Sequence, residues 1–219
     1  MSPVLTNQMS SSRLYLVSPL IADAAAFAPS LVEACAAGDV AAVLLRFADM
    51  DERACVNRTK ELAPIAQKHG AAVIVAAPPP TAVRGGADGV HLTGRDMGPL
   101  KRALSALKPD RIVGAGDVRS RHDAMQAGEA GVDYVMFGEP RPDGTTPPLE
   151  ATLERAAWWS EIFEVPCVAF AASLEAVGAL VAAKPEFIAL GDTIWAHPGG
   201  VGDAVRRALA AVGGTVSAP

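Results

Sequence analysis

Gly85-Gly86-Ala87-Asp88-Gly89-Val90-His91-Leu92, with Asp96 close behind, reads as a tight turn, a short buried strand and a polar strand end carrying a histidine. The same grammar returns at Ala130-Gly131-Val132-Asp133-Tyr134-Val135-Met136-Phe137-Gly138. In each copy a small residue and a glycine stand near an aspartate, an apolar run follows, and a histidine or glycine closes it. Two such copies point to a repeated βα unit.

Outward from these copies the chain alternates between apolar strands and helical patterns. Strands are expected over 14–18, 40–46, 72–76, 89–92, 111–115, 134–137, 166–170 and 187–190. Helices are expected over 24–37, 51–69, 99–107, 120–130, 149–162, 174–183 and 201–212, with a short one at 81–84. Ser120 and Ser173 are the expected N-caps of the helices they open. Strand runs such as 40–46 are apolar at nearly every position, as in a parallel sheet buried on both faces. Eight βα units in about 200 residues is the count of a closed (β/α)₈ TIM barrel. An open doubly wound sheet is the rival. It calls for a Gly-rich G-x-G-x-x-G turn after the first strand, where this chain has Ser18-Pro19-Leu20-Ile21. The expected organisation is one barrel over 13–212, with a loose arm at 1–12 and a frayed tail at 213–219.

Composition narrows the function. Half of the 219 residues are apolar and only 5% are aromatic, so small aliphatic side chains fill the core. The formal charge is −5, and no basic stripe appears, which argues against nucleic acid as a partner. The three cysteines, Cys35, Cys55 and Cys167, are far apart and form no Cys-x-x-Cys pair. They read as buried thiols in a reducing compartment. No run approaches the ~20 apolar residues of a membrane span. Residues 13–26 imitate a signal peptide, but Pro19 and Asp23 interrupt the apolar stretch. A cytoplasmic protein with no membrane partner is expected, and the sequence leaves room for a homodimer.

In a barrel of this kind the chemistry sits at the C-terminal strand ends. The candidates there are Ser18, Arg46, Ala76-Ala77, His91 with Asp96, Gly116-Asp117, the loop from Gly138 to Thr146, Ala171-Ala172-Ser173 and Gly191-Asp192-Thr193. Asp96 reads equally as the N-cap of the helix that follows it and as a metal ligand, and the two roles can coexist. His91 reads as a satisfied rim residue or a ligand contact. Arg46 needs an anionic partner if buried, with Glu139 and Asp192 the nearest candidates in the pattern. Asp88 and Asp133 precede strands on the opposite face and read as structural, and 197–200 reads as a turn.

Leu14-Tyr15-Leu16-Val17, Ala87-Asp88-Gly89-Val90-His91-Leu92 with Asp96, Ile112-Val113-Gly114, and Asp133-Tyr134-Val135 with Phe137-Gly138 resemble the thiamine-phosphate synthase family, whose superfamily includes the thiazole tautomerases. The resemblance spans about residues 13–212. It implies a role in thiamine biosynthesis: a transferase that couples hydroxymethylpyrimidine diphosphate to thiazole phosphate and releases diphosphate with the help of Mg²⁺. It also implies Arg46 as the catalytic residue and Asp96 as the metal ligand. Arg46, His91, Gly138, Thr145, Thr146 and Gly191 are the implied contacts to a small phosphorylated heterocycle.

The chain departs from the family pattern at several of these positions. The family's second strand ends Gln-x-Arg-x-Lys, and here only Arg46 of the three polar residues stands. The Asn-Asp after the third strand is Ala76-Ala77, and the Ser of the fifth strand's Gly-x-Ser is Gly116. The tautomerase-type histidine falls on Val118. The Lys of the loop signature Pro-Thr-x-Thr-Lys is absent, and the Gly-Gly after the seventh strand is Ala171-Ala172. The expectation is a degraded metal and diphosphate site. The alternatives are a non-catalytic binding or regulatory barrel, and an enzyme for a different phosphorylated small molecule that uses Arg141, Arg95 or Asp117.

Overall fold

The computed structural model describes residues 12–48, 51–141 and 144–213. Among them, eight parallel strands close into one barrel in chain order. They are β1 (Arg13–Ile21), β2 (Val40–Phe47), β3 (Ala72–Val75), β4 (Gly89–Thr93), β5 (Ile112–Gly116), β6 (Tyr134–Phe137), β7 (Cys167–Ala171) and β8 (Phe187–Leu190). The helices are α1 (Ala24–Ala36), α2 (Glu52–Gln67), α3 (Pro79–Gly85), α4 (Met97–Leu107), α5 (Arg121–Glu129), α6 (Leu149–Ile162), α7 (Ala176–Ala182), α8 (Asp192–Trp195) and α9 (Val201–Gly213). This is the (β/α)₈ barrel that the alternation predicts, closed by the pairing of β1 with β8. Residues 1–11 and 214–219, most of the expected arm and tail, lie outside the described residues. Ser12 is buried and donates its hydroxyl to the Pro185 carbonyl at 2.6 Å.

The period of two along each strand sorts side chains into two cores. Tyr15, Val17, Leu44, Ile74, Tyr134, Met136, Val168 and Phe170 point inward and fill the barrel. Their neighbours Leu14, Leu16, Val43, Leu45, Val73 and Val75 point outward and pack with helix residues such as Leu31, Leu62 and Leu100. Those three leucines are fully buried, each contributing about 1.5–3 kcal/mol of hydrophobic stabilisation.

The repeated aspartates hold the N-terminal rim together. Asp88, just before β4, accepts the Val73 amide of β3 at 2.7 Å. Asp133, just before β6, accepts the Val113 amide of β5 at 2.8 Å. Glu186 does the same for Cys167 at the start of β7, also at 2.7 Å. Each carboxylate satisfies a strand-end N–H that the ladder leaves free. Asp88 and Asp133 are therefore structural, as their position in the repeat predicts.

Two local expectations need correction. Ser173 does not cap α7, which begins at Ala176 after Glu175 and has no side-chain cap. The polar segment 173–175 spends its hydrogen bonds locally, with the Ala176 amide on the Ser173 carbonyl at 3.3 Å. The short helix α8 was not expected after β8. A bulge between Val17 and Leu20 breaks the β1–β2 ladder, and Trp195 of α8 donates its indole N–H to the Val17 carbonyl at 2.7 Å.

Candidate active site

The C-terminal strand ends surround a cavity of about 790 Å³. Val17, Leu44 and Phe170, shared with the barrel interior, give it an apolar lining. Arg46, His91, Glu139, Arg141 and Asp192 bring charge and hydrogen-bonding capacity to the same space.

Arg46 is half-buried at the end of β2, where inward alternation from Ala42 and Leu44 carries it into the mouth. The buried Ser18 clamps it: the hydroxyl accepts the Arg46 amide at 2.9 Å, and the Ser18 carbonyl accepts Nε at 2.7 Å. Among the described residues no carboxylate comes within ion-pair distance of its guanidinium. Burial lowers its pKa from the ordinary value, and the charges of Asp192 and Glu139 oppose that shift from farther away. The ion pair with Glu139 or Asp192 that the pattern suggested is thus not formed. Ser18 holds the arginine by its backbone-facing edge.

A chain of hydrogen bonds runs up the barrel to the mouth. Tyr15 and Tyr134, the only two tyrosines in the sequence, meet hydroxyl to hydroxyl at 2.9 Å. The Tyr134 hydroxyl lies 2.8 Å from His91 Nδ1, and His91 Nε2 lies 2.9 Å from Glu139 Oε2. The second oxygen of Glu139 accepts the Asp117 amide at 2.7 Å. Burial pushes both phenols well above their usual range, reinforced by the charge of Glu139, so both stay protonated. Each phenol can donate or accept in these contacts, and the two His91 nitrogens donate or accept according to the tautomer.

The glycines of β5 make room for this chain. A Cβ at Gly114 would lie 2.0 Å from Tyr134 Cζ, and one at Gly116 would lie 2.1 Å from His91 Nε2 and 2.5 Å from Glu139 Oε2. The serine missing at 116 therefore has no space here. Asp117 follows in the left-handed region, with φ +47°. Its carboxylate sits between Arg119 Nε at 3.0 Å and Arg95 Nη1 at 3.4 Å. Sequence reading missed Tyr15 and Tyr134 as site residues, and named Glu139 as an ion-pair partner of Arg46 and within the candidate loop from Gly138 to Thr146. The available signal was that both tyrosines fall on inward positions of their strands.

Of the residues expected at the site, Arg46, His91, Thr146 and Gly191 line the cavity. Gly138, at φ +86°, instead borders a small neighbouring cavity of about 20 Å³. Thr145 lies outside the lining and braces the loop, its carbonyl accepting the Arg141 amide at 2.8 Å. Asp96 also lies outside the lining: it caps α4, with its carboxylate on the Gly98 amide at 3.0 Å.

Mg²⁺ takes oxygen ligands, with one or two carboxylates beside the phosphates. Asp96 is engaged as a cap. At the end of β3, Ala76 faces the mouth, while Ala77 is packed in the outer core at 2% exposure. No group of three or more His, Cys, Asp or Glu is placed to hold a metal among the described residues. Among the described residues the mouth holds no all-protein cage for Mg²⁺, and its lining carboxylates are Asp117, Glu139 and Asp192. No helix among the described residues is long and apolar enough to cross a membrane.

Comparison with known proteins agrees with this architecture. The family model described as thiamine monophosphate synthase matches residues 14–194. The thiamine-phosphate synthase of Rhodospirillum centenum is 42% identical over 199 residues, covering 90% of this chain and 96% of that one. That of Hyphomonas neptunium is 40% identical over 205 residues, covering 89% and 91% respectively. Among solved structures, the thiamine phosphate pyrophosphorylase from Pyrococcus furiosus superposes with a TM-score of 0.76 at 24% identity. It covers 94% of this chain and 98% of its own, a likeness of fold.

Proposed function

The chain belongs to the thiamine monophosphate synthase family, and from that premise we propose that it acts in thiamine biosynthesis, coupling hydroxymethylpyrimidine diphosphate to thiazole phosphate at a mouth poor in diphosphate-stabilising groups. The observation that carries this reading is Arg46, a half-buried cation with no carboxylate paired to it among the described residues, in a cavity of about 790 Å³. A buried arginine without a counter-ion is costly, and a bound phosphate relieves that cost with charge-assisted hydrogen bonds.

The residues divide the work. Departure of diphosphate from carbon places negative charge on the leaving oxygen, which a fixed cation stabilises. Arg46 offers the guanidinium nitrogens that Ser18 does not use. Val17, Leu44 and Phe170 give the heterocycle an apolar seat. Arg141 and Thr146, on the loop after β6, reach the same cavity and suit the second phosphate. Opposing them, Ala76 and Ala77 bring no charge to the end of β3. Each lost electrostatic stabiliser typically costs ~10²–10³ in rate, so coupling is slow.

The same alanines favour a second reading, a barrel that binds thiamine intermediates without turning them over. The test is diphosphate release from the two substrates, with and without Mg²⁺, beside thermal-shift titration with thiamine phosphate, thiazole phosphate and a panel of sugar phosphates. Slow release with a clear shift for the thiamine compounds supports coupling. A shift without release supports the binding barrel. Stabilisation by a sugar phosphate alone would overturn both in favour of a different phosphorylated substrate.

A further inference from the structure

Pro19 sits inside β1 with no backbone N–H to give to the ladder. Strands accommodate such a residue at a bulge, and β1 bulges there. Val17 pairs with Leu44 and Leu20 with Arg46, so β1 uses one residue more than β2 over this step. Two successive carbonyls of the bulge take side-chain donors. The Ser18 carbonyl accepts Arg46 Nε at 2.7 Å, and the Val17 carbonyl accepts the indole N–H of Trp195, also at 2.7 Å. Trp195 ends α8 and does not line the cavity. Its ring packs on Phe27 of α1, with ring centres 4.9 Å apart. The helix is tied on its other side to the end of β7, where Thr193 donates its hydroxyl to the Ala172 carbonyl at 2.9 Å. A hydrogen bond from outside the cavity therefore holds the peptide group adjacent to the one that holds the guanidinium.

We propose that Trp195 is a positioning residue for Arg46: its indole N–H fixes the β1 bulge, and the bulge aims the guanidinium into the mouth. This deepens the proposed function and rests on it for the identity of the substrate. A guanidinium recognises a phosphate through a planar fork, so its direction matters as well as its charge. Nε is spent on the Ser18 carbonyl, so the direction of the two Nη groups follows from where that carbonyl lies. The Ser18 hydroxyl is used within the bulge and its ladder, donating to the Pro19 carbonyl at 2.8 Å and accepting the Arg46 amide at 2.9 Å. The Val17 carbonyl is the part of the bulge gripped from α8. Without the indole N–H, the Val17–Ser18 peptide is free to tilt and the Ser18 carbonyl moves with it. Bulges at barrel rims re-aim side chains in this way, and a site held loosely by its supporting groups loses its preorganisation.

The experiment is calorimetric titration of the whole chain with inorganic diphosphate, for the natural sequence, Trp195→Phe, Arg46→Lys and the two combined, beside single-turnover diphosphate release from the two thiamine precursors. Trp195→Phe keeps a ring against Phe27 and removes the N–H. It is expected to weaken diphosphate binding about fivefold, the effect of one lost hydrogen bond. Arg46→Lys keeps the charge and loses the fork. In that background Trp195→Phe should change the affinity by less than about twofold, because the two residues act as one unit. Phe27→Leu loosens the ring packing and leaves the N–H in place, so it should lower the melting temperature with diphosphate affinity unchanged. Equal effects of Trp195→Phe with and without Arg46→Lys overturn the proposal. So does a loss of affinity with Phe27→Leu as large as that with Trp195→Phe, and so does a natural chain that binds no diphosphate. Should the precursors couple while the two substitutions act independently, the thiamine reading stands and the positioning role falls. Should Trp195→Phe weaken diphosphate binding only beside Arg46 in a chain that releases none from the precursors, the positioning role stands and the coupling reading falls.

Discussion

At the N-terminal rim, Asp88, Asp133 and Glu186 each accept a backbone amide from the start of the preceding strand. At the C-terminal rim, Glu139 accepts one amide, meets one imidazole nitrogen and turns the rest of its capacity toward a cavity. The first arrangement spends carboxylates on closing the barrel. The second leaves a carboxylate in the lining of a cavity, with a left-handed residue, Asp117, holding its partner amide in place. Stability and function thus occupy opposite ends of one set of strands. Substitutions at the two rims should separate into losses of fold and losses of binding.

The largest effect is expected at the mouth. Arg46→Ala should lower residual diphosphate release by ~10²–10³, measured under single-turnover conditions. The melting temperature should hold or rise, because a desolvated cation is removed. A fall in stability as large as the fall in activity would make Arg46 a brace for Ser18 and erase the contrast between the rims.

Asp133→Ala tests the other end. It orphans the Val113 amide, at a cost of about 1–3 kcal/mol read from the urea midpoint. The Asp133–Lys108 pair at the surface adds little. Ligand affinity per folded molecule should not change, and a changed affinity would mean that the rims are coupled through β5 and β6.

Gly116→Ala sharpens the account of the mouth itself. Its Cβ would meet His91 and Glu139 well inside contact distance. A loss of about 1–3 kcal/mol in thermal stability is expected. A neutral result would mean that the His91–Glu139 pair is loosely held.

The barrel was legible because its causes are periodic. Alternating apolar runs, glycine turns and the twin aspartates at Asp88 and Asp133 announce the units directly. Arg46, His91, Thr146 and Gly191 were legible as mouth residues because each falls at a strand's C-terminal end or in the loop that follows it. The Tyr15–Tyr134–His91–Glu139 chain was hidden, since it joins β1, β4 and the β6 region through contacts between residues up to 119 positions apart. Asp96 was legible as a cap from its place before a helix, and its carboxylate accepts the Gly98 amide. The loss at Gly116 read as a missing hydroxyl until the packing around it gave the reason.

The smallest expected effect belongs to neither rim's chemistry and serves as a baseline for both. Ser120 and Asp123 cap α5 reciprocally: the Asp123 amide lies 3.1 Å from the Ser120 hydroxyl, and the Ser120 amide 3.0 Å from the Asp123 carboxylate. Partial burial pushes the Asp123 carboxyl up. The hydrogen bonds from Ser120 and Arg119, with the charge of Arg95, outweigh it and hold the group below its ordinary value. A folded pKa lower than the unfolded one means that the unfolded chain takes up a proton first as the solution is acidified. The box therefore contributes fully above the ordinary aspartate value of ~3.9 and is lost as pH falls through the lower folded value. Ser120→Ala should cost about 0.5–2 kcal/mol at neutral pH. It should also flatten the acid limb of the stability curve, measured by urea unfolding from pH 5 downward. An acid limb as steep as that of the natural chain would assign the acid sensitivity elsewhere, with the carboxylates of the N-terminal rim the first to examine.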